Sequence, residues 1–173
     1  SVRNMTNGLP LVYRTPILDV TVRLVFTNTG SVGPYRGAGR EQAALIVERL
    51  IDETARETGQ DPVELRRRNF IPPSAMPYET PAGRTYDSGE FQAVLEKAVK
   101  TADWGGYEAR QRASAAAGKL RGRGLASCME CVGSVPFEGA ILRFSEDDKL
   151  DLVVASQSQG QGHETSFVQV VAE

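Results

Sequence analysis

Residues 150–173 read LDLVVASQSQGQGHETSFVQVVAE, and they contain the clearest change of local structure in the chain. The stretch opens with a short apolar, β-branched run, which predicts a buried strand. From His163 onward, Phe167, Val170 and Val171 recur at helical spacing. The sequence therefore predicts a strand, a glycine-rich turn and a helix that begins at or just after Gly162.

The turn itself, SQSQGQG, has features that suit an anionic ligand such as a phosphate. Gly160 and Gly162 let a ligand approach the backbone closely, and the helix start adds free N–H groups and a positive dipole end. It is not a Walker A loop, because no Gly-Lys-Ser/Thr follows. It is not GxGxxG either, because Thr165 replaces the third glycine. A plain strand–turn–helix connection explains this pattern equally well.

Composition excludes several classes of function for the 173-residue chain. A hydrophobic content of 40% is enough for one core, and the net charge of −2 indicates no surface for nucleic acid. No apolar run reaches the roughly 18 residues that span a bilayer. The two cysteines form no disulfide framework, which is typical of a reducing compartment. We expect a cytoplasmic protein with neither nucleic acid nor a membrane as partner.

The two cysteines, Cys128 and Cys131, form a CxxC pair within a predicted strand at 120–132. Positions three apart in a strand face opposite sides, so the two sulfurs would diverge. A zinc site would also need two more ligands, and His163 is the only histidine. We interpret the cysteines as structural and assign no metal ligand.

A second glycine-rich loop lies in the N-terminal part of the chain. Residues 17–27 alternate apolar and polar side chains and predict a strand with one buried face. In the following TNTGSVGPYRGAGREQ, glycines and a proline bracket Arg36. An apolar helical stripe then runs to Gly59, the predicted C-cap. An arginine at a helix entrance is placed to meet a carboxylate or phosphate, and a solvent-facing arginine is the alternative interpretation.

The middle of the chain predicts helices and an irregular loop. Asp61 and Pro62 form the N-cap and first turn of a short helix, in which we interpret the arginines at 66–68 as a solvated face. Residues 71–89 are rich in proline and glycine and predict an ordered loop. Further helices follow, with apolar positions from Phe91 onward.

The predicted class is α+β, with short, mostly antiparallel strands and helices between them. Residues 139–145 and 149–155 predict a hairpin that turns at 146–148. The chain then divides into 1–70 (strand, arginine loop and helix), 71–119 (irregular loop and helices) and 120–173 (strands and the GQG turn).

Three long motifs together resemble one known family. They are GPYRGAGREQAALIVERLIDETARETGQDPVELRRRNFIP at 33–72, YETPAGRTYDSGEF at 78–91 and SQSQGQGHETSFVQVVAE at 156–173. In this order, and over residues 15–173, the chain resembles the molybdenum-binding large subunit of the xanthine dehydrogenase and aldehyde oxidase family. The resemblance implies a partial molybdopterin-binding domain.

The resemblance also implies an activity and partners. Such enzymes are molybdopterin hydroxylases that commonly use the cytosine dinucleotide form of the cofactor. They transfer oxygen from water to an aldehyde or heteroaromatic carbon and pass electrons to iron–sulfur and flavin units. The implied partners are the remainder of the large subunit, iron–sulfur and FAD subunits or domains, and a small aldehyde or heteroaromatic substrate. A homodimer is one assembly that we consider.

The resemblance implies roles for particular residues. Arg36 corresponds to the catalytic-loop arginine beside the molybdenum. The implied cofactor-binding residues are Gly37, Ala38, Gly160, Gln161, Gly162, His163 and Thr165. The last two lie near the cofactor phosphates. Ala38, Gly133 and Ser134 are the implied lining of the substrate pocket.

Departures from the family pattern narrow the range of expected substrates. Purine-acting members carry phenylalanine at two positions that align with Ala38 and Gly133, so a purine sandwich is disfavoured. Carbon monoxide dehydrogenases carry a cysteine where this chain has Gly37, which disfavours chemistry that needs a copper-binding thiolate. Arg40-Glu41 replaces a more usual Arg-Pro. We expect an aldehyde or N-heterocycle as substrate.

The family's N-terminal glycine-rich motif and its catalytic base, a glutamate, are expected outside this chain. The final helix also reaches Glu173 without a stop signal, which predicts a piece of a longer subunit. We therefore expect about half of a cofactor site, no cofactor bound to the chain alone, and no activity in isolation. Two alternatives are a stand-alone phosphate- or nucleotide-binding module using residues 160–165, and a structural or assembly domain.

Overall fold

The computed structural model describes residues 2–30, 33, 35–130, 137–147 and 149–173. The chain forms two compact units, Ser1–Glu130 and Cys131–Glu173. Helices and short antiparallel strand pairs make up the described residues, which confirms the predicted α+β class. None of the helices in these ranges is long and apolar enough to cross a membrane.

The first unit is mainly helical. Its helices are α1 (Val2–Gly8), α2 (Arg40–Thr58), α3 (Pro62–Asn69), α4 (Phe91–Thr101) and α5 (Tyr107–Ala116). Strands β1 (Tyr78–Glu79) and β2 (Thr85–Tyr86) pair inside the predicted irregular loop of this unit. Two predicted caps are confirmed. Gly59 ends α2 in the left-handed conformation at φ 67°, and Asp61 accepts hydrogen bonds from the first turn of α3.

The core of this unit is built around a segment that the sequence interpretation left out. Leu11, Val12 and Tyr13 are almost fully buried, together with Val63, Phe70 and Leu95. The rings of Tyr13 and Phe70 stack with their centroids 5.4 Å apart, and the two residues form an isolated antiparallel bridge. The N-terminal segment therefore connects α3 to the rest of the core.

Arg66 contradicts the prediction of a solvated arginine face on α3. Its side chain is fully buried, and its Nε and Nη2 atoms donate to Oε2 of Glu48 at 2.8 and 2.6 Å. Nη2 also donates to Asp52 and to the carbonyl of Leu125. The hydroxyl of Tyr13 donates to the other oxygen of Glu48 at 2.5 Å. The prediction was wrong because α3 turns this position toward an acidic side chain of α2.

The predicted strand at 17–27 is not paired with any strand in the described part of the chain. Apolar side chains at both odd and even positions of the segment are exposed, so it has no buried face; Ile17 is 85% exposed and Leu24 is 80% exposed. The predicted strand at 120–132 is likewise not a strand over its described residues, which run to 130. A strand needs a hydrogen-bonding neighbour, and local periodicity does not reveal whether one is present.

The second unit contains a hairpin followed by a helix, as predicted. Strands β3 (Ala140–Phe144) and β4 (Leu150–Val154) pair antiparallel, with Ala140 opposite Val154. Helix α6 (His163–Ala172) follows the glycine turn. The prediction that β4 is buried was wrong, because its residues are exposed or half-buried. Burial on both faces requires a covering layer that two strands and one helix do not supply.

Candidate functional site

The predicted site residues lie in two loops, each of which leads into a helix. We call residues 36–39 the arginine loop and residues 160–162 the GQG loop. The first precedes α2 in the first unit, and the second precedes α6 in the second unit. Gly133 and Ser134, predicted for the substrate pocket, lie outside the described residues, as does Cys131.

The arginine loop is a tight turn with an unusual backbone. Ala38 N–H donates to the carbonyl of Tyr35 at 2.7 Å, and Arg40 N–H donates to that of Gly37 at 3.1 Å. Gly37, Ala38 and Gly39 have φ values of 93°, 46° and 111°. Glycine adopts such values readily, but Ala38 is strained there. A strained residue persists only where its surroundings hold it in place.

Glu41 folds back over this turn. Its Oε2 accepts a hydrogen bond from Gly39 N–H at 3.2 Å. A Cβ atom added to Gly37 would overlap this carboxylate, so Glu41 fills the space of a side chain at position 37. Hydrogen bonds from its own backbone N–H and from that of Gly39 lower the pKa of the Glu41 carboxyl. The carboxylate is therefore held in its charged form at the start of α2.

Two further contacts fix the helix that follows the arginine loop. The guanidinium of Arg40 forms an ion pair with Glu130. Ala43 is fully buried. A Cβ atom added to Gly8 would lie 3.4 Å from the Cβ of Ala43, so α1 and α2 approach closely there. By contrast, Arg36 is exposed, and it forms no ion pair with any residue that the structure describes. Its guanidinium is thus accessible to an anionic group.

The GQG loop has a different local structure. Gly160 and Gly162 have φ values of 88° and 80°. The amide side chain of Gln161 closes the turn: its Oε1 accepts from Gln159 N–H at 2.5 Å, and its Nε2 donates to the carbonyl of Gln157 at 3.0 Å. A Cβ atom on Gly162 would meet nothing within 4 Å. The backbone of this turn is therefore open to close approach.

Helix α6 begins directly from this open turn. Gly162 is its N-cap, and no described side chain forms a capping hydrogen bond there. The carbonyl of Gly162 accepts from the N–H groups of Thr165 and Ser166 at 3.1 and 2.9 Å. Gly162 thus places the N–H groups and dipole of the first turn beside the loop, which favours negative charge.

A groove of about 560 Å³ runs beside the GQG loop, between β4 and α6. Its walls are mostly apolar, and its loop end is polar through Ser156, Ser158, His163 and Glu164. The His163 ring stacks on Phe167 with centroids 4.4 Å apart. Hydrogen bonds from its own N–H and from the Ser158 hydroxyl lower the pKa of the Glu164 carboxyl. An apolar groove with a few polar groups at one end is a common form of small-molecule site.

The structure brings the site residues together in two groups. Arg36, Gly37 and Ala38 are adjacent in the arginine loop, and residues 160–165 are adjacent at the start of α6. His163 lines the groove, and Thr165 does not. Among the described residues, no group of three or more His, Cys, Asp or Glu side chains is arranged to hold a metal ion.

Sequence reasoning missed Glu41, although a signal for it is present. Residues 37–41 read GAGRE and residues 160–164 read GQGHE. In each, two glycines are followed by a basic residue and a glutamate at the first two positions of a helix. Comparison of the two segments would have singled out both glutamates.

Comparisons with known proteins identify the family to which the chain belongs. Two family models, both described as molybdopterin cofactor-binding domains, match residues 1–70 and 97–173. The carbon monoxide dehydrogenase large chain of Afipia carboxidovorans is 32% identical over 92% of this chain. The xanthine dehydrogenase molybdenum-binding subunit of Escherichia coli is 33% identical over 96% of it.

A solved structure supports the same assignment. The quinoline 2-oxidoreductase of Pseudomonas putida 86 superposes with a TM-score of 0.77 and 26% identity, covering 98% of this chain and 23% of that one. The chain spans about 22% of the length of the curated relatives named above. The chain belongs to the molybdopterin cofactor-binding domains of molybdenum-containing oxidoreductases.

Proposed function

We propose that this chain forms part of the molybdopterin site in the large subunit of a molybdenum hydroxylase. The observation that carries the proposal is the GQG loop, whose open backbone leads into an uncapped helix beside an apolar groove. The proposed cofactor is the cytosine dinucleotide form of molybdopterin. Its phosphates match the N–H groups at the start of α6.

Each loop has its own part in this proposal. In the GQG loop, Gly160 and Gly162 admit the cofactor backbone, and Gln161 keeps the turn closed through its own hydrogen bonds. His163 and Thr165 contact the phosphate end. In the arginine loop, Arg36 presents a positive charge, and the backbone of Gly37 and Ala38 lines the metal-facing wall. When bound, the cofactor supplies the redox centre for oxygen transfer from water.

The substrate class follows from the small residues that we assign to the pocket. Ala38, Gly133 and Ser134 leave no aromatic pair to enclose a purine, and Gly37 offers no thiolate. We therefore propose oxidation of an aldehyde or an N-heterocycle. The proposed partners are the rest of the large subunit and iron–sulfur and FAD units, in a cytoplasmic enzyme. We propose that the chain alone is inactive, because it supplies only part of the site.

Mass spectrometry of molybdenum and released CMP tests this function. The full-length subunit should hold near-stoichiometric amounts of both, and a Gly162→Val variant should lose both. A side chain there is strained at φ 80° and intrudes on the ligand side of the turn. Gly139→Ala is the matched control, because it lies in the same unit, in open space and without a positive φ. Retention of cofactor by Gly162→Val would contradict the proposed role of the loop.

The same measurement on the 173-residue chain separates the alternatives. Absence of molybdenum and CMP, with no affinity for added CDP, supports a partial site. Near-stoichiometric cofactor in the chain alone would overturn the proposed inactivity in isolation. Tight CDP binding without molybdenum would favour a stand-alone nucleotide-binding module.

A further inference from the structure

We propose that Glu41 is a positioning residue for Arg36, because its carboxylate occupies the side-chain space of position 37 and holds the arginine loop in its strained turn. The catalytic consequence of this inference rests on the proposed function, because Arg36 is placed beside the cofactor only in that proposal. Its structural content concerns only residues 36–41 of this chain.

The first argument is the backbone conformation. Three consecutive residues, Gly37, Ala38 and Gly39, have positive φ, and Ala38 has no intrinsic preference for it. Two backbone hydrogen bonds close the turn. Only the Glu41 side chain contributes a side-chain hydrogen bond to the described backbone of this loop, through Gly39 N–H. This contact joins the turn to the first residues of α2.

The second argument is steric. The three heavy atoms nearest to a Cβ on Gly37 all belong to Glu41, namely Oε2, Cδ and Oε1. Among the residues that the structure describes, no other group would collide with a small side chain at that position. Glu41 therefore closes position 37, and the metal-facing wall is backbone there. A side chain at 37 and a carboxylate at 41 in this conformation exclude each other.

The third argument is electrostatic. The carboxylate lies at the positive end of α2 and accepts hydrogen bonds from two backbone N–H groups and from the Gln42 side chain. Arg40, the nearest cation, also favours the charged form while its guanidinium pairs with Glu130. Glu41 is an exposed residue, and these hydrogen bonds favour the position of its carboxylate over the loop.

A double-mutant cycle on the 173-residue chain tests the steric argument. Gly37→Ala should raise the unfolding equilibrium constant a few-fold more in the native background than in a Glu41→Ala background, because the exposed carboxylate must move away and lose its hydrogen bond to Gly39 N–H. Gly59→Ala, at the other end of α2, is the matched control. It also has a positive φ of 67°, but nothing stands within 4 Å of its Cβ position. Its effect should be the same in both backgrounds. Equal effects of Gly37→Ala in both backgrounds would overturn the inference.

Amide NMR tests the positioning directly and does not need Gly37→Ala to fold. The Gly39 N–H resonance should shift in Glu41→Ala and stay near its native position in Glu41→Gln, because the glutamine carbonyl still accepts the hydrogen bond. In the native chain this resonance should titrate with the Glu41 carboxyl at a pH below that of an ordinary glutamate. The inference would be contradicted if the Gly39 N–H resonance kept its native position both in Glu41→Ala and on acidification of the native chain.

The full-length subunit connects the inference to catalysis. Glu41→Ala should retain molybdenum and CMP but lower kcat more than it changes KM, and Glu41→Gln should restore most of kcat. If the native full-length subunit contained neither molybdenum nor CMP, the proposed function would be contradicted. The structural coupling between positions 37 and 41 would not be affected by that result. An unchanged kcat in Glu41→Ala would show that Glu41 does not position Arg36 for catalysis.

Discussion

The two glycine loops share a sequence pattern and differ in what occupies them. In the arginine loop, Glu41 folds over Gly37, so the chain itself fills the space that the glycines leave. In the GQG loop, the space at Gly162 is open, and Gln161 closes the turn from within. Glycine thus serves two purposes here. One loop is shaped to fix a side chain, Arg36, and the other exposes its backbone.

The packing behind the two loops differs in the same sense. The arginine loop leads into α2, which a buried ion pair and a hydrophobic core hold in place. The GQG loop leads into α6, which has no buried residue among those described. We therefore expect changes in the first unit to have large effects on stability, and changes in the second to act mainly on ligand binding.

The largest expected effect is at the buried ion pair between α3 and α2. Arg66→Ala leaves Glu48 buried without its partner and should destabilise the first unit by about 3–5 kcal/mol. Urea unfolding followed by the fluorescence of Trp104, the one tryptophan, measures this. Arg68→Ala is the control, because that side chain is 64% exposed and should contribute under about 1 kcal/mol. Similar losses in both variants would mean that the buried network does not support α2.

The next effect compares the two glycine loops directly. Gly37→Ala combines a positive φ with displacement of the Glu41 carboxylate from its hydrogen bond to Gly39 N–H, so it should cost about 2 kcal/mol. Gly162→Ala meets no collision and should cost about 1 kcal/mol through its φ alone. Hydrogen exchange of amides in each unit reports both values. Equal losses of stability in Gly37→Ala and Gly162→Ala would contradict the distinction between a filled arginine loop and an open GQG loop.

A smaller effect concerns pH and the first unit alone. Burial raises the pKa of Tyr13, and its hydrogen bond to Glu48 raises it further. Its contribution to stability is complete below the ordinary tyrosine pKa of about 10 and is lost as pH rises above that value. Urea unfolding between neutral and strongly alkaline pH should show this loss in the native chain. Tyr13→Phe should show less pH dependence, and an unchanged slope would contradict the assignment.

The smallest effect is at the open loop. Glu164→Gln removes a negative charge from the start of α6, so the affinity of the cofactor-free full-length subunit for CDP should rise on the order of twofold. Isothermal titration measures the change, and Glu173→Gln, at the opposite end of the helix, is the control. A fall in affinity would mean that the carboxylate assists the ligand.

Local signals predicted the parts of the fold that local chemistry determines. Gly59 and Asp61 mark the ends of elements, and the structure confirms both, together with the predicted pairing of the two hairpin strands. Arg66 could not be placed from its neighbours, because its partner Glu48 lies on another helix. The core role of Tyr13 was missed for the same reason, since its contacts are distant in sequence.

The candidate site shows the same division. The residues 160–165 follow from their glycine pattern and from the resemblance, and the structure groups them at one helix start. The shared GAGRE and GQGHE patterns mark Glu41 as a position of interest, but its place over Gly37 depends on a backbone conformation that no side-chain pattern encodes. Strained turns are the places where sequence reasoning is expected to fail.

The unpaired segment at 17–27 has a consequence for how the chain behaves in concentrated solution. An exposed run of Val, Leu and Phe beside free backbone groups is a template on which another copy can add a strand. Asp19 and Arg23 interrupt that run with charges of opposite sign. Charges within such a run oppose intermolecular β-pairing, so we expect Asp19 and Arg23 to protect the chain against association through this segment.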